Sequence, residues 1–331
     1  MKLLARKITC AREGVIGGFG IEIFDIGSMD MIHAATLDVL EHEGIKTNCK
    51  LALDIYSAGG CDVDANAGRV RIPARIVEAA IDSAPSGILY AARDPENDFV
   101  MEGTSVHFCN FSKGVNVVDV YTGEYRASTL EDQKNASLIV DSLGEYDLLD
   151  VALETRDMPD EIANIVSYET MVTNCSKHSG QSAHGKREAE ILIEMAAAVA
   201  GGKENLRKRP IASTVVCPTS PLTISNETTE PIIVYAENGV PCTVLSMVMA
   251  GSTAPVTLAG TLVVHNAEVL AGIVLGQLTK KGAPNVYGSS TTILDLRTAA
   301  VTVGCPELAM LGAAVVKLAR YYNLPSYIAG G

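Results

Sequence analysis

From about residue 127 onward the chain alternates two textures, short apolar runs and longer stretches in which apolar positions recur every three or four residues. The first predicts buried strands and the second amphipathic helices. Thr129 with Asp132 makes a capping start for a helix that carries Ala136, Ile139, Val140 and Leu143 on one face. A strand over 147–154 and a helix over 160–174 follow. Next come a strand over 178–182 and a helix over 186–200, which Gly201 and Gly202 stop. The pattern continues with a strand over 211–217, a helix from Asn226 to just before Gly239, a strand over 242–247 and a long apolar helix from about Thr257. After a strand over 285–288, a loop from Ser289 to Cys305 leads to Pro306, suited to the first turn of a helix that reaches Tyr322. Residues 325–329 read as a last strand.

Strands that alternate with helices predict a parallel sheet with right-handed crossovers. No glycine-rich dinucleotide or phosphate fingerprint opens a helix, because Gly17-Gly18-Phe19-Gly20 follows no strand signal. The expected fold is therefore α/β, a (β/α)8 TIM-type barrel. About seven strands are present once one before residue 127 is counted. Residues 1–126 differ in texture and are expected to form an N-terminal helical and α+β extension, with the incomplete barrel over 127–331. Within the extension, a helix over 28–43 aligns Ile32, Ala35, Thr36, Val39 and Leu40, and a second, short one runs from Arg71-Ile72-Pro73 to Ile81. Short strand candidates lie at 87–91, 105–108 and 115–121.

Composition narrows the function. Hydrophobic residues make up 47% of 331, so a large core is available. A net charge of −13 argues against nucleic acid and anionic membranes as partners. The start at Met1 is basic without the apolar run of a signal peptide, and His265, Asn266 and Glu268 interrupt the apolar stretch over 256–278. A cytoplasmic protein is expected. Eight cysteines, never closer than 12 residues, exclude a compact zinc knuckle and read as free thiols.

A barrel carries its chemistry at the carboxyl ends of its strands. That rule singles out Glu154, Ser182, His184, the segments Cys217–Ser220, Ser246–Met249 and Tyr287–Ser290, and the chain from Ala329 to Gly331. Ser182, Ser220, Ser246 and Ser289 are the candidate substrate-binding residues. Glu227 and Glu230 open a helix close behind a strand end, where the macrodipole alone also favours acids. Tyr287 is placed either to face a cationic ligand or to fill the barrel mouth. Cys217, Cys242 and Cys305 are thiolate ligands from separate strands or, more simply, buried thiols. The residues alone give a barrel enzyme with its chemistry unassigned.

Several segments resemble the trimethylamine methyltransferase family of corrinoid-dependent enzymes. They are Ile32-His33-Ala34-Ala35-Thr36-Leu37-Asp38-Val39-Leu40-Glu41, Cys217-Pro218-Thr219-Ser220-Pro221-Leu222 and Met249-Ala250-Gly251-Ser252-Thr253-Ala254-Pro255-Val256-Thr257. Ala283-Pro284-Asn285-Val286-Tyr287-Gly288 and Tyr321-Tyr322-Asn323-Leu324-Pro325 continue the likeness. These are turns and strand ends, not catalytic signatures. The resemblance implies methyl transfer from trimethylamine to the Co(I) corrinoid of a cognate partner protein, as in methanogenesis from methylamines. No corrinoid is then bound directly. It also implies pyrrolysine, read from an in-frame amber codon, just beyond Gly331, so that the chain as given is inactive. Glu227, Glu230 and Tyr287 would serve as catalytic acids or ammonium stabilisers around that residue. The alternatives are a pyrrolysine-free quaternary-amine enzyme of the glycine betaine type, an inactive amber-terminated fragment, and, more weakly, a barrel lyase or a zinc-thiolate methyltransferase. The apolar helix makes a homo-oligomer the expected assembly.

Overall fold

The computed structural model describes residues 23–330. Cys10, the Gly17–Gly20 segment and Gly331 lie outside them. Six strands form one parallel sheet: β1 (Leu148–Asp150), β2 (His178–Gly180), β3 (Ala212–Val216), β4 (Cys242–Ser246), β5 (Asn285–Ser289) and β6 (Ser326–Ile328). Their spatial order is their chain order, each pairing in parallel with the next. A doubly wound sheet would reverse direction at a switch point, and this one does not. Its two edge strands instead meet across the interior, where Tyr327 of β6 donates to Asp150 of β1. The sheet is the curled arc of a barrel.

The extension before residue 127 supplies no strand to this sheet. Cys109 makes only an isolated parallel bridge to Leu148, at the position a further strand would take. The sheet therefore has six strands where seven were counted. Two antiparallel hairpins, Gly87–Tyr90 with Phe99–Glu102 and Asn116–Val118 with Tyr125–Ala127, account for the strand signals at 87–91 and 115–121, whereas 105–108 forms no strand. The first hairpin plugs the amino-terminal mouth of the arc. Ile88, Tyr90, Phe99 and Met101 pack with Leu148 and Val286, and Tyr90 stands 4.5 Å from the His178 ring.

Ten helices are described: α1 (Ile26–Asp38), α2 (Lys50–Ala58), α3 (Ala74–Ser83), α4 (Leu130–Ser142), α5 (Asp160–Asn174), α6 (Gly185–Ala200), α7 (Lys203–Lys208), α8 (Asn226–Asn238), α9 (Leu258–Thr279) and α10 (Pro306–Tyr321). Local chemistry fixes their ends. At α4 the Thr129–Asp132 capping box is complete, since Asp132 N donates to Thr129 Oγ1 and Thr129 N to Asp132 Oδ2. Gly201 and Gly239 stop α6 and α8 in the left-handed conformation that costs glycine least. In α1 the buried stripe is Met29, Ile32, His33 and Thr36, whereas Ala35 is exposed.

The long apolar helix α9 is the hub of the helix layer, packed on α1, α2, α3 and α8 and on β4 and β5. Length and composition alone would let it cross a membrane, yet it is buried within the fold. Gly272 allows the close approach: a Cβ there would stand 2.7 Å from Val244 Cγ1. Each fully buried aliphatic side chain on it contributes roughly 1.5–3 kcal/mol. Its polar residues are satisfied in place. Asn266 donates to Thr36 Oγ1 (2.9 Å) and Tyr322 Oη (2.7 Å), and accepts from Tyr287 Oη (2.6 Å). Glu268 accepts from Ser246 Oγ (2.6 Å), Ser220 Oγ (2.9 Å) and Leu222 N (2.9 Å).

The stretch from Ser289 to Cys305, expected as a loop, contains a hairpin. Thr292–Asp295 pairs antiparallel with Ala300–Thr302 and parallel with Met249–Ala250. Its β-branched residues favour that extended pairing.

Candidate functional site

A cavity of about 740 Å³ opens at the carboxyl ends of the strands. Its walls are Asp150, Ser182, Val215, Cys217, Leu245, Met247, Ser290 and Tyr327 from the barrel, and it is covered on one side by the 101–113 segment. Alternation along β1 sorts the side chains. Leu149 and Val151 pack outward on Val140, Met171 and Cys175, so Leu148 and Asp150 point inward.

Asp150 is 4% exposed. Its Oδ2 accepts from Tyr327 Oη at 2.9 Å and its Oδ1 from Val151 N at 2.9 Å. Asn110 locks the backbone beneath it, donating to Asp150 O (2.8 Å) and accepting from Asp150 N (2.9 Å). The absence of a side chain at Gly180 leaves the carboxylate its place, since a Cβ there would lie 3.3 Å from Asp150 Oδ1. Burial pushes the Asp150 carboxyl up to about 6, against the opposing pull of the Tyr327 and Val151 hydrogen bonds and the more distant Lys113 charge. Among the described residues no lysine or arginine pairs with it. Lys113 Nζ is engaged by Asn164 Oδ1 (3.1 Å) and stands 3.9 Å from Glu154.

Tyr327 also stands 3.1 Å from Cys109 Sγ. With the tyrosine proton committed to the carboxylate, the thiol donates to the tyrosine oxygen, forming a chain from Cys109 through Tyr327 to Asp150. Burial raises the Tyr327 hydroxyl, as does the neighbouring Asp150 charge, and burial lifts the thiols of Cys109 and Cys217 to about 11. Both cysteines are therefore neutral thiols at physiological pH.

The residues singled out from the sequence fall in three places. Ser182 lines the cavity. Tyr287, Ser246 and Ser220 turn to the helix layer, the first toward Asn266 and the two serines onto Glu268. Tyr287 thus fills the packing between sheet and α9, not the barrel mouth. Ser289 is buried, its Oγ accepting from Thr291 N at 3.1 Å. Glu230 caps the neighbouring helix by accepting from Lys186 N at 2.7 Å, and Glu227 is exposed on the first turn of α8. Glu154 and His184 belong to a polar rim with Lys113, Asn164 and Glu188; the Glu188 carboxylate holds the His184 imidazole above its usual range.

The three thiols considered as a ligand set stand apart. Cys217 faces the cavity, Cys242 is buried on β4, and Cys305 caps α10 by accepting from Leu308 N. No group of three or more His, Cys, Asp or Glu side chains able to hold a metal ion occurs among the described residues.

Asp150, Tyr327 and Cys109 are functional candidates that strand-end reasoning passes over. The strand over 147–154 was expected to end at Glu154, but β1 ends at Asp150. A single acid between Leu149 and Val151 in an otherwise apolar run was the available signal.

Comparison with known proteins agrees with this architecture. The family model "Trimethylamine methyltransferase (MTTB)" matches residues 14–331. The trimethylamine methyltransferase MttB of Desulfitobacterium hafniense is 46% identical, over 99% of this chain and 66% of its own length. The Methanosarcina barkeri MttB is 38% identical, over 99% of this chain and 67% of its own. A glycine betaine methyltransferase of D. hafniense is 34% identical, over 91% of this chain and 62% of its own. The chain thus spans about two thirds of the length of the MttB relatives. Among solved structures, the M. barkeri monomethylamine methyltransferase MtmB superposes with a TM-score of 0.55 at 12% identity, covering 92% of this chain and 67% of that one, a likeness of fold. The chain belongs to the trimethylamine methyltransferase family.

Proposed function

We propose that the protein transfers a methyl group from a methylated amine, trimethylamine in the first instance, to the Co(I) corrinoid of a cognate partner protein. One observation carries this reading. The cavity holds a buried carboxylate without a cationic partner, walled by Val215, Leu245 and Met247. An unpaired buried charge is costly, and an alkylammonium ion would supply both its counter-charge and apolar surface for the methyl walls. The names of the MttB relatives point the same way.

In this reading Asp150 binds the amine, Tyr327 holds the carboxylate in one orientation, and Ser182 contacts substrate from the cavity wall. Fixing the amine against the curled sheet aligns one methyl for the incoming acceptor and replaces a free encounter with a positioned one. Glu227 and Glu230, in the helix behind the β3 end, are proposed to shape the approach to the rim. Tyr287, Ser220, Ser246 and Ser289 would hold the barrel wall in place.

Pyrrolysine, expected from the family resemblance, is carried forward as part of this proposal. Ala329 and Gly330 at the end of β6 line the cavity, so a group presented from that rim has room beside Asp150. Such a residue supplies an electrophilic imine. A cytoplasmic setting, self-association and a division into an extension over 1–126 and a barrel over 127–331 complete the proposal.

The test is methyl transfer by the full gene product to its purified corrinoid partner, followed by the visible spectrum of the corrinoid. Trimethylamine-dependent methylation is expected. No turnover with any methylated amine, under conditions in which the partner is fully reduced, contradicts the reading.

A further inference from the structure

We infer that Asp150 sets substrate class by accepting a hydrogen bond from an amine cation that bears an N–H, so that the cavity selects protonated trimethylamine over a fully quaternary ammonium ion. This rests on the methylated-amine reading above and goes beyond it, because relatives named for trimethylamine and for glycine betaine both match the chain.

The geometry separates the two kinds of cation. A quaternary ammonium has no proton to donate and is held by ring faces, ideally several around one point. Four rings lie on the cavity lining, those of His107, Phe108, Phe111 and Tyr327. Phe108 and Phe111 lie on the covering segment and are 62% and 66% exposed, and His107 is taken up by the Phe99 ring at 4.3 Å. The Tyr327 ring is held in place by its hydroxyl bond to the carboxylate. Beside these rings the cavity holds a directional acceptor that only a cation with an N–H can use. Each Asp150 oxygen receives one hydrogen bond from the protein, from Val151 N and from Tyr327 Oη, and keeps further acceptor capacity. Asn110 and the open Cα of Gly180 fix the position of that acceptor. A charge-assisted N–H···O bond to a buried carboxylate is among the stronger single contacts a small ligand can make. With Asp150 ionised above about pH 6, the acceptor is charged under physiological conditions.

The test is calorimetric titration of the full gene product with trimethylammonium chloride and with tetramethylammonium chloride near pH 7.5, where the first is still protonated. The ions differ by one methyl in place of one proton. Wild-type protein should bind trimethylammonium at least about tenfold more tightly. Asp150→Asn, checked for folding by its melting curve, should abolish that preference. Equal or tighter binding of tetramethylammonium by the wild type overturns the inference while leaving the amine reading intact, and needs no variant. Failure of both ions to bind overturns the amine reading and this inference together.

Discussion

Tyr327, in the last strand of the sheet, donates its hydroxyl to Asp150 in the first, at 2.9 Å. In a flat sheet five strand spacings would hold those strands about 24 Å apart. The bond therefore records how far the sheet curls, and it ties the closure of the arc to the orientation of a buried carboxylate that faces the cavity. Fold and site meet in that contact.

Removing the tyrosine hydroxyl should move the titration of Asp150. Its bond favours the charged carboxylate, so in Tyr327→Phe the carboxyl should protonate at a higher pH than the wild-type value of about 6. The titratable and charged groups around it are Tyr327, Tyr90, Cys109, Cys217 and Lys113. Of these, only Lys113 is charged in this range. Binding of trimethylammonium, measured against pH, should weaken as pH falls through about 6 in the wild type, and at a higher pH in the variant. An unmoved midpoint would show that the hydroxyl does not tune the acid.

The same carboxyl should leave a mark on stability. Its folded pKa of about 6 lies above the 3.8 of a free aspartate, so the folded state favours the protonated form. The cost of ionising it is absent below the unfolded pKa, grows as pH rises from there to about 6, and is constant above. The gap of about two units corresponds to about 3 kcal/mol. Asp150→Asn should therefore gain about that much relative to wild type between acid and neutral pH. Denaturant unfolding of both proteins across this range checks it, and a parallel pH dependence would refute it.

Glu268 makes the opposite kind of prediction. Burial holds its carboxyl above its usual range, yet Ser246, Ser220 and the Leu222 amide all donate to it. Glu268→Ala strands those donors inside the helix layer and should cost about 2–4 kcal/mol in chemical denaturation. Trimethylammonium affinity should be little changed in the folded fraction, because Glu268 lies outside the cavity wall.

At Gly180 the effect should be reversed, with function lost and stability kept. An alanine methyl would stand 3.3 Å from Asp150 Oδ1 and 3.4 Å from Ser213 Oγ. That is close enough to displace the carboxylate slightly and too mild to disrupt the strand. Gly180→Ala should weaken amine binding about tenfold with a melting temperature near wild type. Calorimetry and a thermal scan on one preparation measure both.

How much of this was legible in the sequence depends on what kind of signal each element carries. Helix α5 was expected over 160–174 and is Asp160–Asn174; α6 and α8 stop where Gly201 and Gly239 predicted, because caps act locally. The strands were found in order but not their faces. In a parallel sheet covered on both sides, inward and outward residues are alike apolar, so alternation gives two sets without saying which faces the interior. Tyr287 and Ser246 belong to the outward set and Tyr327 to the inward one, a distinction made by the α9 hub and not by neighbouring residues. Asp150 was hidden by a strand end misplaced by four residues, at Glu154 in place of Asp150. The hairpin within Ser289–Cys305 was hidden because its partner Met249–Ala250 lies far away in sequence.

The most direct test of the central claim is trimethylamine-dependent methylation of the corrinoid partner by wild-type protein and by Asp150→Asn, with both confirmed folded. A cavity organised around this carboxylate predicts that the variant loses about a hundredfold or more in kcat/KM, the loss of a charged contact together with the positioning it provides. A variant that methylates the partner at the wild-type rate would contradict the account.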